Sequence, residues 1–528
     1  MKILFSALRV ATVTAFTSSS SRSSVHARQQ VSSKMTATLS EPSTAIKFAD
    51  ESSNFKELKR TSSARGKQLA VLATIAHEKS VDPRIGELLA ASTKDLEACD
   101  KEIEDLDDAK RILELEKADY QKRICIPKEL AAKKAELEAS AYSAWVKARQ
   151  DNDFAAFAPA LGDCFDLAKE IAALKRGDND ISLYSQMLDE FEMGMQGTRI
   201  DELFAEVQSA LVPFIARIRA SEDKPSLDPL RGKFDVDAQK KVCLDIVKSL
   251  GYDASHGRLD VSVHPFTMSL SGSDVRITSR FSEEEWYQGL AGAIHEGGHA
   301  MYEQNLQGSD LSIDSALSMG VHESQSLFWE RHIGKCPAFF QWATPMLNDQ
   351  LKLDASADDL YSAVNAIDFS NFIRVEADEL TYPLHVILRY TIERQVVSGE
   401  LSVNEIPSTW NKMMKDFLDV EVTEDSKGCL QDIHWSMGAI GYFPTYLLGA
   451  MMSAQLHHYC TKDLDVGVLV AKGEFKEIRE WLTNKIHKHG KRYKSLDDLL
   501  LAETGEILNP KYFVEYLTKK YSELYKIE

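Results

Sequence analysis

His295-Glu296-Gly297-Gly298-His299 decides how this chain is read. Two imidazoles four residues apart share one face of an α-helix, one turn from each other, where both reach a single Zn²⁺ at about 2 Å. Glu296 then stands beside the ion's open position. A carboxylate there takes a proton from a coordinated water, whose pKa falls from about 15.7 to about 7. Such a pattern is the core of a metallohydrolase. Ser282 with Glu285 three residues on reads as a capping box opening the helix, and Trp286, Leu290, Ile294 and Met301 give it an apolar stripe. Gly297 and Gly298 each cost a helix interior about 1 kcal/mol against Ala, which predicts that something needs the space beside the metal.

Immediately upstream lies the one clear strand signal. Leu259, Val261 and Val263 alternate with polar residues, Ser271-Gly272-Ser273-Asp274 reads as a turn, and Val275 and Ile277 follow between Arg276 and Thr278. The expectation is a β-hairpin over 258–280 whose edge strand receives a peptide backbone by strand addition. Elsewhere the chain reads as helix. Leu69, Leu72 and Ile75, and later Leu203, Val207, Leu211 and Ile215, recur at helical spacing, while 102–134 is dense in charge of both signs and reads as an exposed helical hairpin. Pro383 and Pro444 are expected to kink their helices. The fold class is therefore mainly α, with a small β-hairpin or sheet next to the metal helix.

A catalytic zinc site wants a third protein ligand. A second helix over 314–331 presents His322, Glu323 and Glu330. Glu323 and Glu330 lie seven apart on one face, and spacing leaves both open as the ligand. Downstream, Arg374, Asp378, Thr381 and His385 fall at i, i+4, i+7 and i+11, one face of a helix, either lining a cleft or forming a buried ion-pair network. His434, Tyr442 and Tyr446 are the donors an oxyanion site uses.

Composition sets limits around this chemistry. The 528 residues are 44% hydrophobic, enough for a large core, and no apolar run reaches the length of a membrane span. The net charge of −19 is uneven: residues 1–48 hold six Lys/Arg against Glu41 alone, +5, leaving −24 for the rest. So acidic a body disfavours nucleic acid and anionic lipid as partners. Residues 1–48 combine a short apolar run with the Ser/Arg-rich, acid-poor Ser18-Ser19-Ser20-Ser21-Arg22-Ser23-Ser24, which is presequence composition. The Ala15-Phe16 junction resembles the bipartite leaders of complex plastids, so a plastid is the expected destination. A mitochondrion is the alternative, or the cytosol if translation starts at Met35. Seven scattered Cys without C-x-x-C spacing predict reduced thiols.

Taken in order, several segments carry a resemblance: His264-Pro265-Phe266, Asp274-Val275-Arg276-Ile277-Thr278, the HEGGH core with Ala300-Met301-Tyr302-Glu303-Gln304, and His322-Glu323-Ser324-Gln325-Ser326. It continues through 373–383, Gln431-Asp432-Ile433-His434-Trp435-Ser436 and Gly441-Tyr442-Phe443-Pro444-Thr445-Tyr446. The chain resembles the carboxypeptidase Taq family of metallocarboxypeptidases over about 62–525. The family's Trp-Asp segment ending near Met-Pro is missing at 54–61.

The resemblance implies a zincin-like helical fold, one domain over 54–528 with two lobes around a deep groove, usually homodimeric, that removes single residues from peptide C-termini. It assigns His295, His299 and Glu323 to a divalent metal, with Zn²⁺ expected and Co²⁺ or Mn²⁺ compatible with the donor set. It assigns Glu296 to acid/base catalysis, Arg374 to the substrate's terminal carboxylate, and His434, Tyr442 and Tyr446 to the surroundings of the scissile carbonyl. His264 binds substrate or braces the hairpin. The rival readings are an oligopeptidase with the same metal core cutting internal bonds, and an inactive scaffold that binds peptides.

Overall fold

The computed structural model describes residues 58–97, 106–306 and 311–527; the segment read as a presequence lies outside them. The described chain is helical apart from one small sheet, and it divides into two compact units.

The smaller unit comprises the described part of Met1–Asp151 with Ala155–Lys175 and Trp435–Gly438. It holds α1 (Leu58–Ser80), α2 (Pro83–Glu97), α3 (Leu106–Ile124), α4 (Lys128–Asp151) and most of α5 (Phe154–Arg176). The described part of the charge-rich stretch is helical but not a hairpin: α3, which buries only Leu115, packs on α2, whereas α4, beyond Pro127, packs on α1. Helix α1 packs on α4 through small residues. Ala70 and Ala73 meet Ala135, and a methyl on Gly66 would lie 3.2 Å from Ala139 Cβ. Leu69, Leu72 and Ile75, which mark the helix in the sequence, are 43%, 45% and 49% exposed. Their periodicity identified the helix but not its buried face.

The larger unit carries every candidate site residue. Its sheet is ordered β1 (Leu259–Val261), β3 (Asp274–Ser279), β2 (Thr267–Ser271). The hairpin is β2–β3, with Thr267 opposite Ile277 and Ser269 opposite Val275, while β1 runs parallel to β3 on its other side. The alternating 259–263 segment is thus not the hairpin partner of β3. Val261 and Val263 are 57% and 76% exposed, and the true partner, Thr267-Met268-Ser269-Leu270-Ser271, turns hydroxyls rather than apolar groups toward the neighbouring helix.

That helix is α6 (Tyr287–Asn305), which carries the HEGGH stretch. The expected stripe holds: Trp286, Leu290, Ile294 and Met301 are all at most 1% exposed. The expected cap does not. Glu285 alone caps the helix, its carboxylate accepting the Tyr287 and Gln288 N–H groups at 2.7 and 2.9 Å, while Ser282 Oγ accepts only Glu284 N–H. Next comes α7 (Met319–Leu327), capped by Ser318 and continued by a single π-turn, Phe328–Ile333. The role of Gly298 is now plain. A Cβ there would stand 2.6 Å from Ser326 Cα and 2.8 Å from Gln325 O, so the glycine admits the backbone of α7, not the metal. Gly449 does the same from α9 (Pro444–Asp463), where a Cβ would stand 2.7 Å from Glu323 Cβ.

Both prolines expected to kink helices start them instead. Pro383 stands at the beginning of α8 (Tyr382–Ser398) and Pro444 at the beginning of α9, positions where the missing N–H costs nothing. Arg374 and Asp378 therefore precede α8 rather than share a helix face with His385. Asp378 ties off the turn before the helix, accepting Leu380 and Thr381 N–H at 2.9 Å and the Thr381 hydroxyl at 2.7 Å.

Candidate active site

Helix α6 sets His295 and His299 side by side, ring centroids 4.9 Å apart, and α7 brings Glu323 across to them. Glu323 Oε2 lies 3.9 Å from His295 Nε2 and 3.5 Å from His299 Nε2. Among the described residues these three form the one group of acidic, His or Cys side chains that could hold a metal, with donor atoms all within 4.8 Å.

The other ring nitrogens show why the set fits a cation. His295 Nδ1 donates to Glu330 Oε2 at 2.8 Å, and Glu330 in turn faces Lys335 Nζ at 3.6 Å. His299 Nδ1 lies 3.0 Å from the His322 carbonyl and 2.6 Å from His322 Nδ1, while His322 Nε2 donates to Glu303 at 2.9 Å. Both ligand imidazoles thus carry their protons on Nδ1 and turn Nε2 lone pairs toward Glu323. This resolves the ambiguity left by spacing: Glu323 points at the imidazole Nε2 atoms, and Glu330, two turns on, backs His295 from behind. Burial opposes ionisation of both carboxylates. In Glu323 the neighbouring His299 and His295 side chains and the Arg331 charge outweigh it; in Glu330 the His295 hydrogen bond and Lys335 do so. Burial likewise opposes a charge on His295, but Glu330 and Glu323 lift its pKa to about 9, so a proton and a metal ion compete for it.

Glu296, 6% exposed, projects from the same helix. Thr267 Oγ1 on β2 lies 2.6 Å from its Oε2 and 3.0 Å from its carbonyl oxygen. Sequence reading did not find Thr267, Glu303 or the outer role of Glu330, because these contacts join residues 19 to 35 positions apart and leave no periodic trace.

A second cluster gathers around Asp432. Its Oδ1 accepts Arg374 Nε and Nη2 at 3.0 and 2.8 Å, and its Oδ2 accepts Arg389 Nε at 2.6 Å. One carboxylate between two guanidiniums leaves a net positive charge. Arg374 also stacks on Tyr446 and Phe443, 4.7 and 5.6 Å from their ring centroids. Burial, then Arg374, press His434 down to about 3, so its ring is neutral, and its Nε2 meets the Tyr446 hydroxyl at 2.9 Å. Tyr442 packs 5.3 Å from Tyr446. The two clusters adjoin: after burial, the Glu323 charge helps raise the Tyr382, Tyr442 and Tyr446 phenols, Tyr446 to about 12. His264 is exposed on the β1–β2 connection and is not a member of the metal group.

The family model described as carboxypeptidase Taq (M32) metallopeptidase matches residues 31–521, a span beginning inside the segment read as a presequence. Carboxypeptidase 1 of Bacillus subtilis is 42% identical over 431 residues, 79% of this chain and 84% of the relative. Thermostable carboxypeptidase 1 of Thermus thermophilus is 36% identical over 475 residues, 87% of this chain and 92% of the relative. The solved structure of Trypanosoma cruzi metallocarboxypeptidase 1 superposes with a TM-score of 0.81 at 34% identity, covering 87% of this chain and 92% of that one.

Proposed function

The chain belongs to the carboxypeptidase Taq (M32) metallopeptidases and is a metallocarboxypeptidase releasing single C-terminal residues from peptides; on that footing we propose which of its residues perform the reaction. His295, His299 and Glu323 hold the divalent ion, Zn²⁺ by the borderline character of two imidazoles and a carboxylate, with Co²⁺ and Mn²⁺ as the other ions this set accepts. The observation that carries the assignment is the engagement of both Nδ1 atoms, which leaves two Nε2 lone pairs facing a buried carboxylate.

When bound, the ion supplies Lewis acidity, acidifying water and polarising the scissile carbonyl. Glu296 accepts the proton of the attacking water and later delivers it to the leaving amine. Tyr442, whose hydroxyl is kept protonated by a pKa raised well above the phenol range, first through burial, donates to the oxygen on which charge develops. His434 acts through Tyr446, which it holds by hydrogen bond, rather than as a second donor.

Arg374 receives the terminal carboxylate. Asp432 occupies its Nε/Nη2 side, and the Nη1/Nη2 edge is left for a bidentate partner. His264 lies on the exposed rim beside β2, where it meets substrate rather than metal.

Metal analysis tests the ligand set. Glu323→Ala, purified under chelator-free conditions, should lose most of its ion; wild-type metal content in that variant would contradict the assignment. We also propose a homodimer in a plastid-type organelle, supported by the family resemblance and by the basic, Ser-rich leader composition. Light scattering and imaging of a fluorescent fusion test these two readings.

A further inference from the structure

Strand β2 turns the Thr267 hydroxyl toward Glu296 on α6, and Thr267 Oγ1 reaches Glu296 Oε2 at 2.6 Å. We propose that Thr267 is a positioning residue for the catalytic base, fixing which oxygen of Glu296 faces the reacting water.

The geometry carries the argument. Thr267 has a single hydroxyl hydrogen. The shorter contact and the charged acceptor both direct it to Oε2, leaving Oε1 unengaged by Thr267. Without that bond the Glu296 side chain samples its broad, two-fold terminal torsion, and its oxygens exchange places beside the ion. Packing does not require this hydroxyl. Val275 and Ile277 of β3, fully buried on the same face, supply the apolar contact with α6.

The inference rests on Glu296 being the base, and the experiment keeps the two apart. Thr267→Val is compared with Thr267→Ser and Thr267→Ala, for kcat and KM on a free-carboxylate peptide and for Zn²⁺ dissociation constants by chelator competition. Thr267→Val should lower kcat roughly 10- to 100-fold with KM and Zn²⁺ affinity unchanged, Thr267→Ala should follow it, and Thr267→Ser should recover most of the loss. In a Glu296→Gln background, Thr267→Val should cost nothing further. If Glu296→Gln alone retains turnover, the assignment of the base fails. If Glu296→Gln lowers turnover as expected but Thr267→Val costs the same in both backgrounds, weakens Zn²⁺ as much as it lowers kcat, or is not rescued by serine, the positioning role is overturned.

Discussion

Arg374→Ala should separate recognition of the chain terminus from the chemistry of cleavage. In the native cluster Asp432 is shared between Arg374 and Arg389, so one positive charge remains uncompensated beside the metal-site tyrosines. Removing Arg374 leaves Arg389 and Asp432 as a neutral pair, and the backbone of residue 374 keeps its 2.8 Å hydrogen bond to Gln431 Oε1. What disappears is a buried, charge-assisted contact to the substrate carboxylate, about 1.5–3 kcal/mol. At about 1.4 kcal/mol per factor of ten, kcat/KM on peptides with a free C-terminus should fall roughly 10- to 150-fold. The same peptides amidated at the C-terminus should be cleaved as poorly by the variant as by the wild type. Arg374→Lys should recover only part of the loss, since an ammonium cannot make the two-pronged contact. Equal losses on free and amidated peptides would refute the reasoning, because the arginine would then be supporting the site rather than reading the terminus.

Two other outcomes follow from neighbouring groups. Glu330→Ala should weaken metal binding by roughly 10- to 100-fold, less than the loss in Glu323→Ala, because it removes the group orienting His295 and not a ligand; chelator competition ranks the two, and the reverse order would exchange their roles. Burial raises the Glu192 carboxyl, which accepts Gly320 N–H at the start of α7, from 4.5 to about 7. The folded chain therefore holds a proton that the unfolded chain releases between those values, and stability falls as pH rises through that window, by about 3 kcal/mol in all. Glu192→Gln abolishes this term, so in thermal denaturation its stability relative to wild type should rise between pH 4.5 and 7 and level off above; a pH-independent difference would show that Glu192 does not titrate there.

What the sequence revealed and what it concealed divide along physical lines. The metal helix was legible because its ligands are local, four residues apart, and its apolar stripe is periodic; all four stripe residues are buried. The candidate third ligand was legible only as one of two acids. Spacing places Glu323 and Glu330 on one face, but which of them meets Nε2 and which meets Nδ1 depends on how α7 crosses α6 at Gly298. Strand β2 was missed because its inward face is hydroxylic. A pattern that scores apolar alternation found the exposed 259–263 segment instead. Both prolines were misjudged for one reason: a proline in a helical pattern is equally compatible with a first turn, and the boundary was set by the Asp378 turn in one case and the Gly441–Phe443 turn in the other. The Arg374–Asp432–Arg389 cluster joins residues 43 and 58 apart, and no local spacing encodes it.

The measurement closest to the centre of the account is single-turnover hydrolysis by Glu296→Gln together with its metal content. Glu296 lies between the two ligand histidines but is not itself within the donor group, so the variant should bind the ion with wild-type stoichiometry while kcat falls by at least about 100-fold. Near-normal turnover with the metal in place would contradict the assignment of Glu296 as the base, and loss of the metal would show that it serves the ligand set instead.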